Sequence, residues 1–151
     1  MAIEVTYRTT AHLDERLSGL IDDSVRLYAQ QAYHRLMKPY IPRRTGTLME
    51  NVIITKDGVR FVSPYACYLY HGKVMVDPDT KKAGWFDPKK GRWRSRWHVK
   101  KVQSDRDLQF NRELNPYACA YWDKAAMVRR GESFVREITG YIIRKANQNG
   151  R

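Results

Sequence analysis

Apolar residues repeat at helical spacing over residues 11–38, and this pattern limits the fold more than any other feature of the chain. The repeating residues, mostly three or four positions apart, are Leu13, Leu17, Leu20, Ile21, Val25, Tyr28, Ala32 and Leu36. We predict that Thr10 caps the start of the helix and that Pro39 stops it. A helix of this length measures roughly 40 Å, so we expect it to project from the body or to pack on neighbouring subunits.

The segment after this helix predicts a tight turn followed by a β-hairpin. The turn is assigned to Thr45, Gly46 and Leu48. Thr45 has the side chain of a helix N-cap and is expected to start the turn. Residues 52–62 are then rich in β-branched and aromatic side chains, with Asp57 and Gly58 between the two runs. An Asp-Gly pair in this setting is the strongest hairpin signal in the chain.

Three further helices are predicted. The segment "PYACYLYHG" (64–72) fits a strand or a short helix. We favour about two helical turns, because a proline fits the first turn and a glycine fits the end. The last third of the chain shows helical spacing over 117–130 and again over 132–146. Gly131 stands between these two stretches, and we expect it to separate them.

The tetrapeptide PYAC occurs twice, at 64–67 and 116–119, and the two copies hold both cysteines, Cys67 and Cys119. We expect each copy to open a helix, and the two helices to pack near each other. The cysteines would then be buried filler, since a free cysteine behaves as a small hydrophobic residue. A zinc site that includes His71, or a disulfide, is the weaker alternative, because no fourth ligand is evident and a reducing cytoplasm disfavours disulfides.

Residues 73–115 have no sustained periodicity, and a segment this long is unusual for a loop. Within it, residues 81–101, "KKAGWFDPKKGRWRSRWHVKK", carry nine Lys/Arg and one Asp, and three of the four tryptophans. Basic side chains can follow phosphates while aromatics stack on bases or fill pockets of a partner. An ordered interface and packing of the tryptophans onto the body are both open, and a freely solvated loop is disfavoured. Short strands near 93–97 and 99–102 are a further option.

The order of elements predicts one α+β domain over residues 1–151. It consists of a long N-terminal helix, a β-hairpin or small antiparallel sheet, a short helix, a long basic loop or arm, and C-terminal helices. The net charge of +12 points to a negatively charged partner such as nucleic acid or an acidic protein face. No apolar run approaches the roughly 20 residues that span a bilayer, and no secretory signal is evident. We therefore expect no membrane partner and synthesis in a cytoplasm.

No catalytic motif is recognisable, and we expect no enzymatic activity, cofactor, bound metal or small-molecule substrate. The chain lacks a nucleophile elbow, a P-loop, HExxH and GxGxxG. Asp105 and Asp107, together with Asp77 and Asp79, supply the residue types of a metal nuclease. We expect these acids instead to pair with the surrounding arginines.

The chain resembles the minor capsid proteins of tailed bacteriophages, which lie in the head-to-tail joining region. The likeness covers most of residues 39–135. Its stretches are "PRRTGTL" (42–48), "SPYACYLYHGKVMVDPDTKKAGW" (63–85) and "RWHVKKVQSDRDLQFNRELNPYACAYWDKAA" (96–126). The chain is also similar to the wider set of tail-completion proteins, which share a Pro-x-x-Thr-Gly-x-Leu turn, a strand pair and a Tyr-Ala segment ending in Gly.

This resemblance implies a structural protein of the virion neck that forms a ring of six or twelve copies around the DNA channel. The implied partners are other copies of the chain, the head-closure and tail-terminator proteins, and the phage DNA. The implied interface residues are Trp85, Trp93 and Trp97 as anchors, with Arg92, Arg94, Arg96, Lys100 and Lys101 around them. Arg43 and Arg44 are implied to face the DNA lumen or a partner. The alternative is a basic nucleic-acid-binding protein that acts in the host cytoplasm.

Overall fold

The core of the protein lies between two long helices and a three-stranded sheet. The structure is a computed structural model, and it describes residues 3–5, 19 and 21–149. The helices are α1 Asp23–Met37, α2 Thr47–Glu50, α3 Ala66–His71 and α4 Trp122–Asn149, with a 3-10 turn at Lys38–Tyr40. The strands are β1 Ile3–Val5, β2 Val52–Thr55, β3 Gly58–Phe61, β4 Lys73–Val76, β5 Trp85–Asp87, β6 Arg92–Arg94 and β7 Val102–Asp107. This mixture confirms the predicted α+β class.

Helix α1 begins later than its apolar pattern predicts. Asp22 has extended backbone angles, and its carboxylate accepts the N–H groups of Ser24 and Val25 at 3.1 and 3.0 Å, which is N-cap geometry. Gly19 and Ile21 are likewise outside the helix. Residues 11–18, and the cap predicted at Thr10, lie outside the described residues. The described helix has 15 residues and is about 22 Å long, well short of the expected length.

Helix α1 packs along α4 with the two helices antiparallel. Tyr28, near the start of α1, stacks on Tyr141 with ring centroids 3.9 Å apart, whereas Tyr33 meets Phe134 one to two turns earlier in α4. Lys145 forms an ion pair with Asp22 at the far end of the contact. The hydrogen bond from Lys145, with that from the Val25 amide, holds the pKa of the Asp22 carboxyl well below its usual range. The described part of α1 therefore belongs to the core and does not project.

The predicted hairpin is confirmed by strands β2 and β3. They pair antiparallel, with Thr55 opposite Gly58, so Lys56 and Asp57 form the connection and Gly58 opens the second strand. The prediction placed Gly58 in the turn and began the second strand at Val59, one residue later than the structure does. Strand β1 pairs with the other edge of β3, which gives the order β1-β3-β2. Phe61 and Val59 of the central strand are fully buried against the helices.

The turn before the hairpin is capped by Gly46, and the prediction of Thr45 as the N-cap is wrong. Gly46 occupies the N-cap of α2 with φ +89°, a left-handed conformation that favours glycine. The Thr45 hydroxyl instead hydrogen-bonds the Thr47 hydroxyl at 2.8 Å. Leu48 is buried in the core, so the segment does anchor the entry to the hairpin.

Only the first PYAC copy opens a helix. Helix α3 ends at Gly72, whose φ of +65° closes the helix as predicted. The second copy is a turn, and α4 starts only at Trp122. Backbone N–H groups in and just after this copy form hydrogen bonds with distant parts of the chain. The Cys119 N–H donates to Tyr40 O at 3.1 Å, and the Tyr121 N–H donates to Tyr70 O at 2.9 Å. These tertiary hydrogen bonds replace the helical ones.

Helix α3, which the first copy opens, nevertheless packs against the start of α4, as expected. Ala66 and Ala118 are both fully buried. The Tyr70 ring of α3 meets the rings of Tyr121 and Trp122 at centroid distances of 5.1 and 5.0 Å. Small residues allow this close approach, and the aromatic rings supply the buried area.

Helix α4 runs through Gly131 without a break over 28 residues. Two predicted helices are therefore one. Phe134 and Ile138 beyond the glycine are buried in the same core as Trp122 and Ala126 before it. Packing of this continuous face outweighs the weak helix propensity of a single glycine.

Gly131→Ala is expected to raise the free energy of unfolding by up to about 1 kcal/mol, because alanine loses less backbone entropy on entering a helix. An added Cβ would lie 3.5 Å from Met127 Cε, an ordinary contact. Urea denaturation followed by circular dichroism measures the change. A destabilised variant would contradict a regular helix at this position.

The described residues include no helix that has both the length and the apolarity needed to cross a bilayer. Helix α4 is long enough, but cations and acids are spread along it.

A basic aromatic arm as the candidate binding site

The long segment over 73–115 is built from two short antiparallel ribbons. Strand β4 pairs with β7, and β5 pairs with β6. We call residues 81–101, which lie between β4 and β7 in the chain, the basic arm. Its strands have only three residues each, and β6 is exposed along its whole length. Because these strands are so short and exposed, they have no apolar periodicity by which they could be predicted from the sequence.

One face of the β5–β6 ribbon is aromatic. Phe86 lies directly opposite Trp93 in the ladder, so the two side chains share a face. Their ring centroids are 6.0 Å apart with an interplanar angle of 65°. Phe86 is 51% exposed and Trp93 73% exposed. Two large rings therefore stand side by side in solvent.

The opposite face of the ribbon combines a tryptophan with cations. Trp85 lies opposite Arg94, and Asp87 lies opposite Arg92. The Arg94 guanidinium forms an ion pair with Asp87 at 3.2 Å. Because Asp87 is the single acid of the arm, this pair neutralises its negative charge within the ribbon.

Trp97 is the most exposed tryptophan, at 85%. It lies in the turn after β6, and its ring meets the neighbouring His98 ring edge-on at 5.2 Å. Trp85 is also about half exposed, whereas Trp122 in the core is fully buried. None of the three arm tryptophans is buried by the described part of the chain.

Most cations of the arm have no ionic partner among the described residues. Of its nine, Arg94 and Arg96 form ion pairs and Lys101 donates to the carbonyl oxygen of Ala83. The other six are Lys81, Lys82, Lys89, Lys90, Arg92 and Lys100. All six are exposed. Positive charge is therefore available along the arm for an outside partner.

Arg96 links the arm to the turn at residues 77–80, just before it, which we call the base of the arm. Its Nη1 atom lies 3.3 Å from Asp77 Oδ1 and 2.8 Å from Asp79 Oδ2. The buried Asp77 also accepts the N–H groups of Asp79 and Thr80 at 2.9 and 3.0 Å. The pKa of Asp77 lies below its usual range. The hydrogen bond from the Thr80 N–H lowers it most, the Asp79 N–H and the Arg96 charge add to this, and burial acts in the opposite direction.

The turn at the base of the arm should loosen in acid. Because the pKa of Asp77 is lower in the folded chain than in the unfolded one, its carboxylate stabilises the turn above about pH 4. That stability is lost as the pH falls through the folded pKa. Amide hydrogen-exchange protection at residues 79 and 80 should fall over this range. Asp77→Asn should lower this protection at neutral pH and remove most of its dependence on acid. Protection of the unaltered protein that stays constant in acid would contradict the role of the Asp77 carboxylate.

Three of the four acidic residues considered for a metal nuclease are paired with cations, and Asp105 forms no ion pair with a described residue. Asp77 and Asp79 hold Arg96, as the sequence predicted. Asp107 forms an ion pair with Lys73, and this hydrogen bond raises the pKa of the lysine. Across the described part of the chain, no three His, Cys, Asp or Glu side chains are grouped to hold a metal ion.

The two cysteines are free thiols of intermediate burial, so the prediction that they are buried is wrong. Cys119 still packs against the core. Partial burial raises the pKa of the Cys119 thiol, which keeps it protonated at neutral pH. His71 follows Cys67 in α3 and its Nδ1 lies 3.4 Å from the Tyr121 hydroxyl. The His71 imidazole therefore faces a tyrosine that lies just before α4.

The structure separates the predicted site residues into two groups. Arg43 and Arg44 are exposed in the segment before α2, whereas the tryptophans and their neighbouring cations belong to the basic arm. Phe86, Lys89 and Lys90 were missed as site residues. The turn sequence Asp-Pro-Lys-Lys-Gly at 87–91, with aromatics on each side, was the signal for this second hairpin.

The arm offers an exposed aromatic surface beside unpaired positive charge. Such a surface binds by stacking, apolar burial and charge pairing. No family model, no curated protein and no solved structure matches the chain. The chemistry of the arm is therefore the structural ground for assigning a role.

Proposed function

We propose that the protein is a structural component of the neck of a tailed-bacteriophage virion, where it forms a ring that joins head and tail around the DNA channel. The observation that carries this proposal is the exposure of three tryptophans on one basic arm. Large apolar side chains left in water mark a surface that a partner covers. Tryptophan and arginine are also the residues most enriched among interface anchors. The sequence resemblance supplies the kind of assembly.

A ring requires two different contact surfaces on each subunit, because its contacts are head-to-tail. The basic arm is one such surface. A second runs along α4, where Val128, Val135 and Ile143 are exposed. The proposed partners are other copies of this chain, six or twelve in a ring by analogy with neck rings, together with the head-closure and tail-terminator proteins. Arg43 and Arg44 would face the lumen or one of these neighbours, and the role requires no catalysis.

The alternative is a basic nucleic-acid-binding protein of the host cytoplasm. It is favoured by the six cations of the arm whose side chains make neither an ion pair nor a hydrogen bond with any described residue. The two roles differ in assembly. A neck protein should form ring-sized species or enter particles, whereas the alternative should do neither.

The proposal is tested by electron microscopy of particles assembled with and without this protein. Without it, filled heads that lack tails are expected, and normal virions would contradict the joining role. Complementation then tests the arm: Trp93→Ala with Trp97→Ala should leave tailless heads. The matched control is Tyr65→Ala, which removes an exposed aromatic side chain outside the arm and should restore normal virions.

A further inference from the structure

We propose that the basic arm also binds single-stranded nucleic acid, with Trp93 and Phe86 stacking on unpaired bases and the arm cations contacting phosphates. This goes beyond the proposed function, because a neck ring can hold its neighbours through the arm without touching nucleic acid. The binding surface is the Phe86–Trp93 face of the β5–β6 ribbon.

The aromatic part of this surface fits bases. Phe86 and Trp93 present their rings side by side from adjacent strands, 6.0 Å apart, and both are at least half exposed. Every base has a π-face, so exposed rings held on a short ribbon bind unpaired bases regardless of sequence. Trp97 follows the ribbon after two residues and is almost wholly in solvent, which supplies a third ring.

The charged part lies before, within and after the ribbon along the chain. Lys81 and Lys82 precede β5, Lys89 and Lys90 occupy the turn, and Lys100 follows β6. None forms an ion pair with a described residue, so each can pair with a phosphate. The single acid of the arm is already held by Arg94, which leaves no unpaired carboxylate there to repel a phosphate.

The charge of the whole chain favours nucleic acid over a second copy as the partner of the arm cations. The arm carries +8 of the total of +12, so the remainder of the chain is itself positive. A positive body gives no charge complement to a positive arm. Nucleic acid supplies both the negative charge and the flat rings. A duplex would meet the cations but would keep the faces of its bases stacked, out of reach of Phe86 and Trp93.

The first test compares three ligands of about 15 nucleotides, close to known site sizes for single strands. They are oligothymidine, an abasic strand with the same phosphates, and a duplex of the same length. Binding of the purified full chain is followed by fluorescence anisotropy. Oligothymidine should bind at least about fivefold tighter than the abasic strand, which is the effect of stacking one base. Equal binding of these two strands, or tighter binding of the duplex, would overturn the inference.

Salt dependence tests the cations in the same assay. For single strands, the logarithm of the binding constant falls by about 0.7 per phosphate contact for each tenfold rise in salt. Six arm cations therefore predict a slope of up to about −4. A slope near zero would overturn the role of the cations. Arm tryptophan fluorescence should be quenched on binding, whereas buried Trp122 stays unaffected.

Variants place the contact on the ribbon. Trp93→Ala should weaken oligothymidine binding by at least about fivefold, while Trp93→Phe, which keeps a ring, should restore most of it. The control is Tyr65→Ala, an exposed aromatic side chain outside the arm, which should bind as tightly as the unaltered protein. An equal loss in the control would overturn the assignment. Failure here leaves the particle experiment untouched, since that experiment scores assembly and not affinity for nucleic acid.

Discussion

Replacing Trp122 with alanine is expected to lower the free energy of unfolding by about 3–5 kcal/mol. The side chain is fully buried and lies at the first residue of α4. Its ring meets Phe61 of the central strand edge-on at 5.5 Å and Tyr70 of α3 at 5.0 Å. Removing it would leave a cavity where helix, sheet and short helix meet. Urea denaturation followed by circular dichroism gives the change in free energy.

Trp93→Ala is the matched control, because it removes the same side chain from an exposed position. At 73% exposure the change in unfolding free energy should stay within about 0.5 kcal/mol. Similar losses in the two variants would mean that Trp93 is packed in the folded protein. A loss below about 1 kcal/mol at Trp122 would contradict its place in the core.

Gly72→Ala is expected to destabilise the fold by about 2–4 kcal/mol. A Cβ built at this position would lie 2.6 Å from the Cβ of Ala120, far inside van der Waals contact. The residue also has φ +65°, and a left-handed conformation costs a residue with a side chain roughly 1–2 kcal/mol. The substitution therefore adds backbone strain to a clash between the end of α3 and residue 120, just before α4. The change is measured by the same denaturation experiment.

A double-mutant cycle separates these two causes. Ala120→Gly removes the atom that the new Cβ would meet, so the double variant should be more stable than the sum of the single changes predicts. Roughly 1–2 kcal/mol of the loss at Gly72 should persist from the left-handed backbone. Strict additivity would contradict the close approach of residues 72 and 120.

Local signals were sufficient where a short stretch of chain determines its own conformation. The hairpin over 52–62 and the short helix that ends at Gly72 are both confirmed. Each depends on neighbours in sequence: β-branched runs around a two-residue connection, or a glycine that can adopt positive φ. The end of α1 beside Pro39 is of the same kind.

Local signals misled where a distant contact decides. Gly131 marked a break, but the helix continues because its face packs on α1. Pro116 marked a helix start, but the amides of Cys119 and Tyr121 donate to carbonyl oxygens of Tyr40 and Tyr70. In both cases tertiary contacts outweighed preferences of about 1 kcal/mol.

The candidate site divides in the same way. Composition alone identified residues 81–101 as basic and rich in tryptophan. The pairing of Phe86 with Trp93, the ion pair of Arg94 with Asp87 and the attachment of Arg96 to Asp77 depend on strand register and on a turn far along the chain. The sequence by itself determined the fold class, the hairpin and the charge of the arm, because these follow from residue type and short spacing. The tertiary structure alone decided which rings share a face and which cations are left unpaired, because both depend on side chains that meet only once the chain is folded.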